Sequence, residues 1–416
     1  MSTVIKAVDA IDFLDGESLH VSQLRDRPSE EFIEFVRDAF PTEREYDSML
    51  TRKLRRRSST GRHVQYDLGE MSGFLSVFLQ HHQGGDFSIS DERWLLGGAS
   101  KIQFGFTLHR ADGTPTRMVI RMEPRESLNA TSRNREFELL TAMRGVVPVP
   151  DTYWVDADGE WFPEPALIYA FAEGVSRPTD SAFRVSGAGQ NFGPTLRARL
   201  AEQFMEHLAL IHTYDWSSAK LPSFTIPRAA STDSALWQLN RARRVWEEDK
   251  GEDLPYLDVA ARWLEDNLPV LDNPSVVHGD YRAGNFLFNE NTQQITAWLD
   301  WERGYIGDRH RDLAWTLTRS FGHLAEDQKT FLVSGLVPLP DFLPWYESLT
   351  GLAVDHDALR FYRVFDAYQL VVSNLASSYR VAKNGRSHQD ALLMWTHGVS
   401  SSIASDLLTI LDEEIL

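Results

Sequence analysis

Apolar positions repeat with two different periods along the chain, and the boundary falls near residue 90. Before it the spacing is helical. Phe32, Phe35 and Val36 share one face of a segment that starts at Ser29, and Pro41-Thr42-Glu43-Arg44-Glu45 opens a second helix. That second helix ends in Arg52-Lys53-Leu54-Arg55-Arg56-Arg57. The basic run reads either as a contact for an anionic ligand or partner, or as a solvated helix end with cations favoured near the C-terminal dipole. From Trp94 the texture changes to alternation around a glycine turn, through Leu108. A turn at Ala111-Asp112-Gly113-Thr114 follows, then Arg117 to Met122, which predicts three short strands in a meander. Ser132 opens a helix over 133–144 that Gly145 ends. Pro148-Val149-Pro150-Asp151 breaks the chain before two more strands, 152–155 and 166–171. Beyond Glu173-Gly174 the pattern is helical except around 275–300, and Ser181 to Gly193 is the most loop-like internal stretch. Strands first and helices later is a two-lobed α+β arrangement. It divides into a helical N-terminal extension (1–90), an N-lobe with an antiparallel sheet and one helix (91–172), and a mainly helical C-lobe (173–416).

Composition narrows the function classes. A chain of 416 residues with 42% hydrophobic and 25% charged residues is an ordinary globular protein. Its formal charge of −18, from 42 basic and 60 acidic residues, argues against a general nucleic-acid binder. A cationic substrate remains compatible with it. With no cysteine, disulfides, thiolate metal sites and a cysteine nucleophile are excluded. The N-terminal residues lack a signal-peptide core, and no apolar run approaches ~18 residues, so a cytoplasmic protein without membrane contact is expected.

The chemistry concentrates between Val276 and Ala314. His278-Gly279-Asp280 is followed by Asn285 five residues after the aspartate. Asp300 stands at the end of the apolar run Ile295-Thr296-Ala297-Trp298-Leu299. Phosphoryl transfer needs one carboxylate to orient a hydroxyl and accept its proton, and oxygen ligands for Mg²⁺ on the phosphates. Asp280 suits the first role; Asn285 and Asp300 suit the second. His278 reads as a loop support. Arg282 either stabilises negative charge or braces the loop. His212, on an apolar helix face with Phe204, Leu208 and Ile211, reads as a satisfied core histidine.

Together with ordered motifs upstream and downstream, these residues resemble the aminoglycoside phosphotransferase family, the small-molecule branch of the protein-kinase-like fold. The motifs are Leu96-Gly97-Gly98-Ala99-Ser100, Val119-Ile120-Arg121, Arg135-Glu136-Phe137, Val147-Pro148-Val149-Pro150, Glu173-Gly174, Leu208-Ala209-Leu210-Ile211-His212, the loop from His278 to Asn285, Leu299-Asp300-Trp301-Glu302, and Gly307-Asp308 through Asp312-Leu313-Ala314. The resemblance implies an ATP- and Mg²⁺-dependent enzyme, with GTP as the alternative nucleotide, acting on a small-molecule hydroxyl. Gly97, Gly98 and Ser100 would form the loop over the phosphates, and Lys101 would add a phosphate contact or face water. Arg121 stands where relatives usually have lysine, with Glu136 as its expected partner and Glu138 or Glu126 as alternatives. Backbone groups near Tyr169 to Phe171 would bind adenine. Asp308 and Asp312 would hold the catalytic loop. Gly307 follows Asp300 by only seven positions, which leaves no peptide-docking segment of the protein-kinase type. A hydroxyacyl-CoA kinase and a non-catalytic nucleotide-binding homologue are the alternatives.

Overall fold

The computed structural model describes residues 21–59, 61–95, 100–111, 113–180, 189–398 and 400–415. Gly97 and Gly98, and most of the loop-like stretch from Ser181, lie outside them. Four helices come first: α1 (Val21–Asp26), α2 (Glu30–Ala39), α3 (Arg44–Ser59) and α4 (Leu68–His82). A five-stranded antiparallel sheet follows, built from β1 (Phe87–Trp94), β2 (Ile102–Arg110) and β3 (Thr116–Met122), then β4 (Thr152–Asp156) and β5 (Ala166–Ala170) after the helix α5 (Arg133–Met143). Its spatial order is β1-β2-β3-β5-β4. β1 begins at Phe87, inside the stretch expected to be helical. It is a half-exposed edge strand, Phe-Ser-Ile-Ser-Asp-Glu-Arg-Trp, too polar to give a strong alternation signal.

The period-two alternation sorts each strand onto two faces. Phe104, Phe106, Leu108, Met118, Ile120, Met122 and Ile168 point one way, and Met71, Leu75, Phe78 and Leu79 of α4 cover them. A reciprocal capping box fixes the start of α4: the Glu70 N–H donates to Asp67 and the Asp67 N–H donates to Glu70. Val119, Leu167 and Tyr169 point the other way, toward α5 and the C-lobe core. Arg121 alternates onto this second face, so a charged residue ends up between the lobes.

The C-lobe carries α6 (Gly193–Thr213), α7 (Asp233–Asp249) and α8 (Pro255–Asp266). Two short ladders follow: β6 (Ser275–Val277) with β9 (Tyr305–Gly307), and β7 (Phe286–Asn289) with β8 (Gln294–Trp298). Next come α9 (His310–Thr316), α10 (Leu339–Thr350), α11 (His356–Val372) and further helices to Ile415. Between α9 and α10 a small sheet at His323–Leu324, Phe331–Val333 and Val337–Pro338 interrupts what the sequence pattern presents as continuous helix. Strands of two or three residues are too short to show a period.

The first three helices tie the lobes together. Arg57, fully buried, donates to Glu126 after β3, to Asp249 at the end of α7, and to the Arg25 and Glu248 carbonyls. Lys53 pairs with the same Asp249, and Arg244 of α7 pairs with Asp47 of α3. The basic run is therefore neither a solvated end nor wholly a surface. Arg55 stays exposed with Glu30, while Lys53 and Arg57 turn inward to meet carboxylates of both lobes.

Candidate active site

The loop between β6 and β7 is held from below. Asp312, at the start of α9, accepts from the His278 N–H (2.7 Å) and the Gly279 N–H (2.8 Å). His212 lies 3.3 Å from the same carboxylate and 2.9 Å from the Tyr346 hydroxyl. Burial alone would raise the Asp312 carboxyl, but the His212 and loop hydrogen bonds outweigh it and keep the group below its ordinary range. Among the described residues the Asp308 carboxylate makes no hydrogen bond to the loop. It accepts from the His310 N–H and ring, closing its own turn. Gly279 sits at φ +79°, and a Cβ there would come within 2.6 Å of the Arg303 carbonyl, so the turn into Asp280 admits only glycine.

His278 spans the loop. Its Nε2–H donates to the Leu299 carbonyl (3.0 Å), and its Nδ1 accepts from the Asp280 N–H (3.2 Å). Full burial pulls its pKa down, which suits a ring that must stay neutral to accept at Nδ1. The Asp280 side chain is 17% exposed. Its Oδ1 accepts from the Trp315 indole N–H (2.6 Å) and from Arg282 Nε (3.1 Å); among the described residues Oδ2 accepts nothing. Asn285 donates Nδ2–H to the Asp280 carbonyl (2.8 Å), which orients its amide and leaves Oδ1 for another partner.

Asp300 occupies a left-handed conformation (φ 59°, ψ 43°), which an aspartate tolerates better than most residues. Its Oδ1 lies 2.5 Å from Arg121 Nη1. Arg121 also reaches Glu302 (2.7 Å) and, through Nε, Glu136 (3.5 Å). The two alternative partners are engaged elsewhere: Glu138 accepts from Ser223, and Glu126 pairs with Arg57. Glu136 has a closer cation in Arg133 (2.6 Å).

Glu302 is the residue that sequence reasoning missed. It accepts from the Ser100 hydroxyl (2.6 Å) and lies 3.2 Å from Lys101 Nζ, 2.7 Å from Arg121 and 3.9 Å from Arg133. Burial would raise its carboxyl, and the three cations overcome that and hold it far below the ordinary value. Lys101 is accordingly 2% exposed and faces an internal carboxylate rather than water. Ser100 likewise spends its hydroxyl on Glu302. The visible signal was a charged residue directly after the apolar run and Asp300-Trp301; its partners, some 170–200 positions upstream, could not be read from spacing.

Past β5 the chain leaves the sheet at Glu173-Gly174. The Phe171 N–H donates to the Arg117 carbonyl (2.9 Å) and is thus spent within the sheet, contrary to the expectation that it serves a ligand. The next N–H, that of Ala172, has no partner among the described residues. Tyr169 is buried, and burial pushes its hydroxyl up to about 12.

Among the described residues no three His, Cys, Asp or Glu side chains gather as a metal site. Asn285 Oδ1 and the Asp300 carboxylate, 41% exposed, are hard oxygen donors. They fit a magnesium ion that takes its remaining ligands from phosphate and water.

Residues 103–342 match the Phosphotransferase enzyme family. A putative aminoglycoside phosphotransferase from Ralstonia eutropha JMP134 superimposes with a TM-score of 0.59 at 19% identity, covering 82% of this chain and 98% of that one. An ethanolamine kinase from Plasmodium vivax gives 0.51 at 10% identity, over 88% and 96%. These likenesses speak to the two-lobed kinase-like fold. Among curated proteins, acyl-CoA dehydrogenase family member 10 of Mus musculus is 25% identical over 207 residues, which is 48% of this chain and 18% of that protein. The chain spans a third or less of the length of the first curated relatives it matches. No helix among the described residues is long and apolar enough to cross a membrane.

Proposed function

The chain belongs to the phosphotransferase enzyme family, and from that premise we propose that it is a cytoplasmic, ATP- and Mg²⁺-dependent enzyme that moves the γ-phosphate to a hydroxyl of a small molecule. The observation that carries this reading is the half-occupied carboxylate of Asp280. Trp315 and Arg282 fix one oxygen and leave the other open, on a loop anchored to Asp312. A hydroxyl donating to Oδ2 is oriented for in-line attack on phosphorus. As the new O–P bond forms and the bond to the β-phosphate oxygen breaks, the hydroxyl proton passes to Oδ2 and ADP departs. Arg282, 3.1 Å from Asp280, braces the base and faces the charge that develops. Asn285 and Asp300 would hold Mg²⁺. When bound, the ion neutralises phosphate charge and orients the transferring group. Arg121, backed by Glu136, would meet the phosphates with its fork, and Ser100, Gly97 and Gly98 would cover them. Adenine, or guanine if GTP serves, would lie at the end of β5 against Tyr169, with Ala172 rather than Phe171 supplying the backbone N–H.

A second reading of the acceptor rests on the mouse relative, whose name places it among acyl-CoA dehydrogenases. A phosphotransferase-like stretch resembling part of such a protein would act on a hydroxyl of an acyl-CoA thioester. A nucleotide-binding homologue without transfer is the remaining alternative, and an open Asp280 Oδ2 counts against it. The test is a phosphate-transfer screen over aminoglycosides, hydroxyacyl-CoA thioesters and aromatic alcohols, repeated with Asp280→Ala. Transfer should fall about 10³-fold in the variant, with Mg·ATP still raising thermal stability. Undiminished transfer would remove Asp280 as the base; transfer to no acceptor, with Mg·ATP bound, would favour the homologue.

A further inference from the structure

The acceptor side of Asp280 carries positive charge that the chain leaves unbalanced. Arg303 directly follows the Asp300-Trp301-Glu302 turn. Its guanidinium lies 4.6 Å from the centre of the Trp315 ring, and its Nη2 donates to Gln369 Oε1 (2.8 Å). Arg311 lies 5.1 Å from the same ring centre and donates to the same amide oxygen (2.5 Å). Arg241, 6% exposed, donates to the Ala130 carbonyl (3.3 Å) and lies 4.1 Å from the Tyr46 ring centre. Arg241 and Gln369 line one small cavity with Leu128 and Ala130. Of the three cations only Arg311 has a carboxylate, Asp366. Among the described residues Arg303 and Arg241 have none within 4.0 Å.

This is not an effect of composition, because the chain as a whole is acidic, at −18. An arginine stays charged in any folded environment. A buried charge without a partner is costly, and stacking on tryptophan or tyrosine returns only part of that cost. Arg303, half-buried, is thus held beside Asp280 through the Trp315 ring, and Arg241, buried, lies close enough to feel its charge; an incoming oxyanion would relieve both. The linkage to the reaction is direct: the Trp315 indole beneath Arg303 and Arg311 is the group that donates to Asp280 Oδ1. A cationic acceptor would meet Arg282 and Arg303 as it approached Asp280, and would be repelled.

Resting on the phosphotransfer reading of Asp280, we propose that the acceptor is an anion whose carboxylate or phosphate is bound by Arg303 and Arg241, making these two residues the determinants of acceptor class. A guanidinium fork recognises either oxyanion, so a short hydroxycarboxylate and a phosphate-bearing thioester share the required chemistry.

The experiment uses the full chain. Mg·AMP-PNP is added first, and its effect on thermal stability reports the nucleotide site alone. Malate, coenzyme A and the polycation kanamycin are then titrated separately by calorimetry into the nucleotide-saturated protein, with Arg303→Gln, Arg303→Lys and Arg241→Gln in parallel. The expected result is that malate or coenzyme A binds and kanamycin does not. Arg303→Gln and Arg241→Gln should each weaken oxyanion binding at least tenfold, Arg303→Lys should recover part of the loss, and Mg·AMP-PNP affinity should stay within twofold. Tighter binding of malate identifies a short carboxylate, and tighter binding of coenzyme A a phosphate-bearing acceptor; either supports the proposal. Equal oxyanion binding by wild type and both glutamine variants overturns it, as does binding of kanamycin alone. Should Mg·AMP-PNP fail to stabilise the chain, the phosphotransfer reading falls. The same titrations without nucleotide would then still decide whether Arg303 and Arg241 form an oxyanion site.

Discussion

The two sides of Asp280 treat their arginines in opposite ways. On the side proposed to meet nucleotide, Lys101, Arg121 and Arg133 are gathered around Glu302, Glu136, Asp300 and Glu123, each cation within 4 Å of at least one of the four carboxylates. On the side proposed to meet the acceptor, Arg311 pairs with Asp366, and among the described residues Arg241 and Arg303 have no carboxylate within 4.0 Å. The first group is neutralised by the chain itself, so its geometry is set before a nucleotide arrives. In the second, Arg303 and Arg241 lack a carboxylate among the described residues, and the proposed oxyanion would supply it. An enzyme that binds Mg²⁺ with ATP brings both signs to the nucleotide side and needs little net charge there. An acceptor brings only its own charge, and the residues around it must complement that charge directly.

The comparison is most exposed at Glu302. Glu302→Gln keeps the shape and removes the charge on which Ser100, Lys101, Arg121 and Arg133 converge. Breaking a buried pair by deleting one partner typically costs about 3–5 kcal/mol, and urea unfolding of the variant should lose that much. The nucleotide affinity should fall with it, because Arg121 and Lys101 are no longer held. A loss below about 1 kcal/mol would mean that the remaining carboxylates neutralise the cluster without Glu302, and the contrast between the two sides would shrink.

How far this organisation can be read from sequence depends on chain separation. Asp280, Asn285 and Asp300 lie on one short stretch, and a five-residue spacing before a strand suffices to put them together. Arg121 is expected to pair with Glu136 through the family resemblance, and the helix face of Glu136 beside Leu140 and Met143 points its charge inward; the structure puts the two 3.5 Å apart. Glu302 was visible as a residue but not as a centre, because its partners at 100, 101, 121 and 133 reach it only through tertiary folding. Lys53 and Arg57 looked like a helix end for the same reason: Glu126 and Asp249 are 69 and 192 residues from Arg57. β1 escaped because an edge strand needs only one apolar face and here has little of it. Arg303 gave no sequence signal at all. A missing carboxylate is a property of the packed neighbourhood.

Acid separates the two sides by a different route and by a smaller amount. The Glu302 pKa is depressed, so its contribution is complete above the ordinary carboxylate value of about 4.5 and is lost only as pH falls well below it. His207 behaves the other way. Burial lowers it to about 4 from 6.5, and its Nδ1 accepts from the Trp298 indole N–H at 3.0 Å. Between those values the unfolded chain binds the proton and the folded chain does not, so stability falls as pH drops from 6.5 to 4. The partly exposed ring should account for about 2 kcal/mol of that fall. His207→Gln, which can still accept from Trp298, should flatten the stability profile between pH 6.5 and 4 and leave the region below 4 unchanged. An unaltered slope would put the acid sensitivity on the ion clusters instead.

The smallest effect is expected where the contrast is sharpest. Arg303→Gln deletes a charge as Glu302→Gln does, from the next residue along the chain. Yet no carboxylate loses its partner, since Gln369 keeps Arg311 and the Trp315 ring keeps the Arg311 stack. Lost packing of the stem against Trp315 is offset by relief of charge between Arg303 and its neighbours Arg241 and Arg311. The net change in unfolding free energy should stay within about 0.5 kcal/mol, measured in low-salt buffer so that counter-ions do not mask the repulsion. A loss near that of Glu302→Gln would make Arg303 a structural residue of the C-lobe. A change near zero, with oxyanion binding lost, would mean that the fold tolerates this arginine for the sake of a ligand rather than for itself.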